Sequence, residues 1–354
     1  MHVLITADTV GGVWTYTQDL VGALAKRGIR ITLVSFGAMP TSEQTEWLKA
    51  LPEVDYRPTS FRLEWMQDAA VDVERSRRYL QELIRGVRPN LLHSNQLCYG
   101  SVKADIPRIV VAHSDVVSWW QSVHGTEPPE EEWRWYRSEV RNGLRSADLV
   151  VAPSQWMMST LVDNYDFNTE TRVIYNGRDA SLFKSSSTRS NYALSVGRVW
   201  DRGKQLDLLL NQNLDIPVYI AGPNEDPGKN TRITGFASQS ELRGFYSRAA
   251  IYVATSRYEP FGLAPVEAAL SGCTLVLNDI PVFRELWHDC AVYFEQNNAT
   301  ALARAVSDLS INESKRQEFA DRAQSRAREK FSASRMANEY CAIYQQVLAR
   351  EQVA

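Results

Sequence analysis

The chain has no run of about 18 apolar residues, the length a membrane-crossing helix requires, so no spanning segment is expected. Its four cysteines (Cys98, Cys273, Cys290 and Cys341) show neither Cys-x-x-Cys spacing nor a metal-ligand pairing with nearby histidines, which argues against a disulfide scaffold or a zinc site. They read as reduced, mostly buried thiols of a cytoplasmic protein. Neither sign of charge dominates: 39 basic against 42 acidic residues leave a net charge of −3, and nothing global points to nucleic acid. The opening Met-His-Val-Leu-Ile-Thr-Ala-Asp lacks a basic leader and a long apolar stretch, so no signal peptide is expected. The sequence also lacks the Gly-x-Gly-x-x-Gly fingerprint of a dinucleotide site and an Asp-x-Asp loop for a metal.

What is present is an ordinary globular composition, 44% hydrophobic and 23% charged, in 354 residues. At roughly 150 residues per domain that length suggests two domains. Short β-branched runs alternate with amphipathic helical patterns. In the first half the expected strands are 2–6, 30–36, 91–93, 108–112, 148–152 and 173–175, with helical patterns at 16–27 and 76–87. After Asn176-Gly-Arg-Asp a polar connector, Lys184-Ser-Ser-Ser-Thr-Arg-Ser190, interrupts the series. Strands then resume at 193–196, 218–221, 251–254, 274–277 and 291–294, and the pattern from 299 onward is helical. Strand–helix alternation implies α/β architecture with parallel sheets covered on both faces. Two such series predict two Rossmann-like domains, residues 1–180 and 181–335, facing across a cleft. A last helix, 336–354, is expected to return to the first domain.

Three segments carry the polar chemistry. The turn Ala7-Asp-Thr-Val-Gly-Gly-Val13 follows the first strand, where Gly11 and Gly12 would let backbone amides approach an anion. A plain tight turn explains it equally well. In Ser195-Val-Gly-Arg-Val-Trp-Asp-Arg-Gly-Lys204, the cations Arg198, Arg202 and Lys204 gather at a strand's carboxyl end, a place suited to a diphosphate, although a solvated loop carries such residues too. The third segment, Glu259-Pro-Phe-Gly-Leu-Ala-Pro-Val-Glu267, puts two carboxylates around a Pro/Gly-rich loop. Pro265 suits a helix's first turn and Gly272 its end. The amides of Phe261, Gly262 and Leu263 would then stand at a helix N-terminus, ready for a phosphate or sugar hydroxyl.

With Pro-Phe-Gly-Leu inside, Glu259-x7-Glu267 resembles the signature of the retaining glycosyltransferases of family four, which share the GT-B fold. Gly11-Gly12, the Ser146–Gln155 strand and serine turn, Asn176-Gly-Arg-Asp179, and Gly197-Arg198 with Lys204 are similar to further ordered motifs of that family. The resemblance implies a metal-independent hexosyltransferase with a nucleotide diphosphate sugar as co-substrate and no other cofactor. It implies that Arg198 and Lys204 grip the diphosphate, Glu259 and the 261–263 amides hold donor-sugar hydroxyls, and Glu267 holds the ribose. Gly12 would leave room for diphosphate and acceptor, and His113 would lie near the donor sugar. Phe236, in Ile233-Thr-Gly-Phe, is expected near the base. UDP-glucose is the first expectation for the donor and GDP-mannose the second, with a sugar or small-molecule acceptor. In the linker motif Arg178 stands where the family has an aliphatic residue.

Rival readings are a GT-B sugar-nucleotide epimerase and a non-catalytic nucleotide-sugar binder. Trp119, Trp120, Trp133 and Trp135 suit either an acceptor surface or a core. Arg75, Arg77, Arg78, Arg85 and Arg88 read as a solvated face rather than a membrane contact.

Overall fold

The computed structural model describes residues 1–186, 188–222, 231–235 and 237–351. The chain divides into two compact units: Met1–Gln121, Gly125–Gly177 and Ala333–Ala354 form one, Ser122–His124 and Arg178–Ser332 the other.

The first unit is built on seven strands: β1 (His2–Asp8), β2 (Arg30–Phe36), β3 (Asp55–Pro58), β4 (Leu91–Ser94), β5 (Arg108–Val111), β6 (Leu149–Ala152) and β7 (Thr171–Val173). They lie in the order β3-β2-β1-β4-β5-β6-β7, and neighbours run parallel. Helices cover such a sheet on both faces, which is why β1 is buried along its whole length and its apolar Val3, Leu4 and Ile5 run without alternation. Its Val3 stands opposite both Ile31 and Leu91. The final helix, Ala333–Glu351, packs against the helix Gly12–Ala25 of this unit, and Arg27 bonds Asn338 and Ser334 on it.

The second unit has six strands: β8 (Ser190–Val196), β9 (Val218–Ala221), β10 (Thr231–Ile233), β11 (Ala249–Ala254), β12 (Thr274–Asn278) and β13 (Val292–Phe294). Their order, β10-β9-β8-β11-β12-β13, repeats the doubly wound pattern of the first sheet. The pattern reverses between β1 and β4 and again between β8 and β11. Ligands of open α/β sheets bind at such switch points, beyond the strands' carboxyl ends.

Two strands escape the sequence pattern, β3 and β10, both at sheet edges. β3 has no buried residue and ends on proline, so no apolar run announces it. The strand expected at 173–175 falls two residues earlier, at Thr171–Val173. Trp133 and Trp135 pack on the core around Val140 and Leu144, so these two tryptophans serve packing. In the helix Ala70–Val87, Arg77 pairs with Glu74 and Glu139 and Arg78 with Glu74.

Candidate active site

The second switch point is assembled by loops that bond to each other. Beyond β8, Gly197 lies so close to Gly222, after β9, that a Cβ on Gly222 would come within 1.9 Å of the Gly197 carbonyl oxygen. The loop that follows folds around Asp201. Its carboxylate accepts from Gly203 N at 2.9 Å and from Arg198 Nη2 at 2.7 Å. The Gly203 carbonyl then accepts from Arg257 N, and Thr255 Oγ1 donates to the Lys204 carbonyl at 2.7 Å. These bonds tie the β8 loop to the β11 loop and carry Lys204 across to Glu259.

Lys204 Nζ meets Glu259 Oε2 at 2.5 Å, and Ser256 Oγ donates to the same oxygen at 3.2 Å. Both side chains are largely covered, 27% and 13% exposed, where a charge pair is worth more than on an open surface. Gly262 makes this possible. Its φ of +88° is left-handed, and a Cβ there would stand 3.1 Å from Glu259 Cγ and 3.3 Å from Pro265 Cδ. Gly262 is also the N-cap of the helix Leu263–Leu270 and, lacking a side chain, leaves the first-turn amides without a side-chain cap. The helix starts two residues before Pro265, which therefore sits inside its first turn.

Ser195, Lys204, Tyr252, Glu259, Gly262 and Leu263 line a pocket of about 40 Å³ between β8 and β11. Burial, followed by the charges of Glu259 and Glu267, pushes the Tyr252 phenol well above its usual range, so it stays protonated. A cation, a carboxylate and a helix N-terminus thus converge on one small polar space. Such groups suit an anion at the cation and amides and hydroxyl donors at the carboxylate.

Other expected residues are placed elsewhere. Arg198 is held by Asp201, lies 5.1 Å from the Trp200 ring, and is not part of the pocket lining. Arg202 is exposed. The Phe261 ring is buried edge-on against Phe331 at 5.4 Å, which leaves only its backbone for a ligand. Glu267 is nearly buried, and its Oε1 stands 3.0 Å from Arg178 Nε. Phe236 lies outside the described residues. Sequence reasoning missed Ser256 and Asn278. Asn278, at the end of β12, donates to the Thr255 and Ser256 carbonyls at 3.4 and 3.1 Å and so fixes the loop below Glu259. A polar residue closing an apolar strand was the available signal.

In the first unit the exposed Gly11, with φ +72°, precedes the helix Gly12–Ala25. His113, just past β5, has its Nε2 at 2.8 Å from Asn95 Oδ1 and its ring 4.4 Å from that of Tyr16. Asn95 in turn donates to the Thr6 carbonyl on β1. Burial, with a smaller contribution from His93, lowers His113 to about 3, so it is neutral at pH 7.

Two doubly wound sheets on one chain, the second with a Lys–Glu pocket at its switch point, agree with the GT-B architecture that the motifs resemble. Residues 10–182 match the family model described as Glycosyltransferase Family 4, and residues 183–326 match Glycosyl transferases group 1. The chain belongs to the family-four glycosyltransferases. It is 24% identical to an O-antigen chain mannosyltransferase of Salmonella typhimurium over 49% of its own length, and it spans only 54% of that relative. Its fold matches sucrose-phosphate synthase from Thermosynechococcus elongatus with a TM-score of 0.81 at 17% identity, covering 99% of this chain and 100% of that one. The Anabaena protein HepE, solved with UDP and glucose, matches with a TM-score of 0.77 at 16% identity, over 98% of this chain and 100% of its own.

Proposed function

We propose that this protein transfers a hexose from a nucleotide diphosphate sugar to an acceptor hydroxyl with retention of anomeric configuration. The Lys204–Glu259 contact beside the Gly262–Leu263 helix start carries this reading. A donor entering the pocket exchanges that contact for two of its own: diphosphate oxygens take Lys204, and sugar hydroxyls donate to Glu259. As the bond between the anomeric carbon and the β-phosphate oxygen breaks, negative charge grows on the leaving diphosphate. Lys204 and the helix amides neutralise it, with Arg198 as a secondary cation. The acceptor oxygen bonds the anomeric carbon on the face the phosphate leaves, and its proton passes to a departing phosphate oxygen. Charge neutralisation is thereby assigned to side chains and backbone rather than to a metal.

UDP-glucose is the first candidate donor, supported by the UDP and glucose bound to the HepE relative, and GDP-mannose the second, supported by the mannosyltransferase relative. The test is a donor panel scored for nucleotide release with and without sugar acceptors. Acceptor-dependent release from one donor, with an α-linked glycoside from an α-linked donor, supports the reading. An isomerised nucleotide sugar without glycoside would replace it with an epimerase, and tight binding without turnover would replace it with a binding protein.

A further inference from the structure

The motif residue without a family counterpart, Arg178, has a defined place. It opens the second unit and is 3% exposed, yet it carries a full charge. Its backbone N–H donates to the Phe331 carbonyl at 2.9 Å and it bridges to Ser332, so the main chain there is fixed. The guanidinium lies 5.3 Å from the Phe183 ring on one side, and its Nε stands 3.0 Å from Glu267 Oε1. Glu267 is itself only 8% exposed. It follows pocket-lining Leu263 by four residues in the same helix, so the two share a face. Nearby, burial and then the Glu267 charge drive the Tyr246 phenol well above its ordinary range, a sign that the carboxylate's field is felt within the core.

A carboxylate this deep is costly without a partner, and removing one member of a buried pair leaves the other stranded. The guanidinium beside Oε1 also limits how the carboxylate can turn. The remaining acceptor capacity is then aimed rather than free to turn, and an ionised carboxylate only accepts. Hydroxyls are donors that such a group suits, above all two on adjacent carbons.

We infer that Arg178 is a positioning residue that sets Glu267 to receive the vicinal diol of the donor's ribose and so makes the enzyme selective for ribonucleotide over 2′-deoxyribonucleotide donors. This rests on the donor reading above. Arg178 acts through Glu267. Replacing it with the aliphatic residue expected of the family removes the lock on the carboxylate and not the diphosphate site, so Lys204 chemistry continues.

The test is calorimetric titration of the full chain with UDP, 2′-deoxy-UDP, GDP and 2′-deoxy-GDP, comparing wild type with Arg178→Met, Arg178→Lys and Glu267→Gln. Wild type should prefer the ribo form of its nucleotide by about tenfold or more, the worth of a hydrogen bond to a charged group. Arg178→Met should weaken the ribo form about tenfold and the deoxy form, which keeps only the 3′ hydroxyl, by less, bringing the ratio closer to one. Arg178→Lys, which keeps the charge but not the planar fork, should lie between. In turnover assays the Met variant should raise KM for the ribo donor with little change in kcat. A wild-type ribo/deoxy ratio in whichever Arg178 variant folds, with the ratio lost in Glu267→Gln, overturns the inference and spares the donor reading. A ratio kept in Glu267→Gln as well removes the ribose assignment, and wild type binding neither nucleotide removes the donor reading and the inference together.

Discussion

At the switch between β8 and β11 a lysine and a glutamate touch at 2.5 Å, whereas at the switch between β1 and β4 the groups in contact are Thr6 and Asn95, with His113 and Tyr16 beside them. The strand order is the same in both places, but the chemistry is not. The second unit holds fixed charges near a glycine-capped helix, which suits a diphosphate. The first holds a neutral network in which even the histidines are kept uncharged, His113 near 3 and His93 near 4, both through burial. One fold thus supplies two kinds of site, and function follows from the loops and not from the sheet.

The comparison breaks most easily at Lys204. Lys204→Met should lower kcat/KM by about a thousandfold, the scale of losing a preorganised charge at the leaving group. Its melting temperature should fall by several degrees while the chain still folds, since Glu259 is left without its cation in a largely covered site. Normal turnover would remove Lys204 from the mechanism. Glu259→Gln should cost about a hundredfold, because the amide keeps the shape but loses the charged acceptor. A steady-state assay with several donor sugars would show whether the loss depends on the sugar and not on the base. Gly262→Ala should be smaller in activity but visible in stability, about 1–3 kcal/mol by denaturant titration, because the backbone is left-handed and Glu259 and Pro265 would have to give way to a Cβ. Wild-type stability there would mean that the helix start is not fixed as described.

The smallest effect belongs to the first unit. His93 Nδ1 lies 2.6 Å from the Tyr344 hydroxyl on the last helix. Burial holds its folded pKa near 4 against about 6.5 unfolded, so the unfolded chain binds the extra proton between those values. The stability tied to neutral His93 is complete above about pH 6.5 and is lost as pH falls toward 4. Glu64, raised by burial to about 7, opposes this: its contribution is lost as pH rises from about 4.5 through 7. The two are separated by comparing His93→Gln with wild type across pH 4–7. The melting temperature of the variant should fall less steeply on acidification, and parallel curves would show that His93 does not titrate on unfolding.

Much of this was legible in the sequence. Central parallel strands such as β2 and β9 read directly, because burial on both faces favours β-branched and apolar residues along the strand. The 259–267 segment announced a loop and a helix start through Pro, Gly and Glu spacing. Ser238 and Glu241 form the capping box that their spacing suggests. Two of the four edge strands, β3 and β10, were not legible; in β3 no residue is buried, so nothing there must be apolar. Nor was the partner of Glu267: Arg178 is 89 positions away (267 − 178), and only the folded chain brings them to 3.0 Å. Arg198, Lys204, Glu259 and Glu267 read as one group, yet Arg198 pairs with Asp201 inside its own loop and is not part of the pocket lining. His113 read as a lone histidine after a strand. Its bond to Asn95 depends on β4 and β5 lying side by side.

The central claim is that Lys204 and the helix start at Gly262 hold a diphosphate. Calorimetry with UDP and with uridine, and with GDP and guanosine, measures that directly as the affinity added by the two phosphates. Wild type should bind the matching nucleotide at least a hundredfold more tightly than its nucleoside, and Lys204→Met should cut that advantage by about tenfold or more, the worth of a charged hydrogen bond. Exposed Lys315→Met should leave it unchanged. An advantage in Lys204→Met equal to that of wild type would contradict the account.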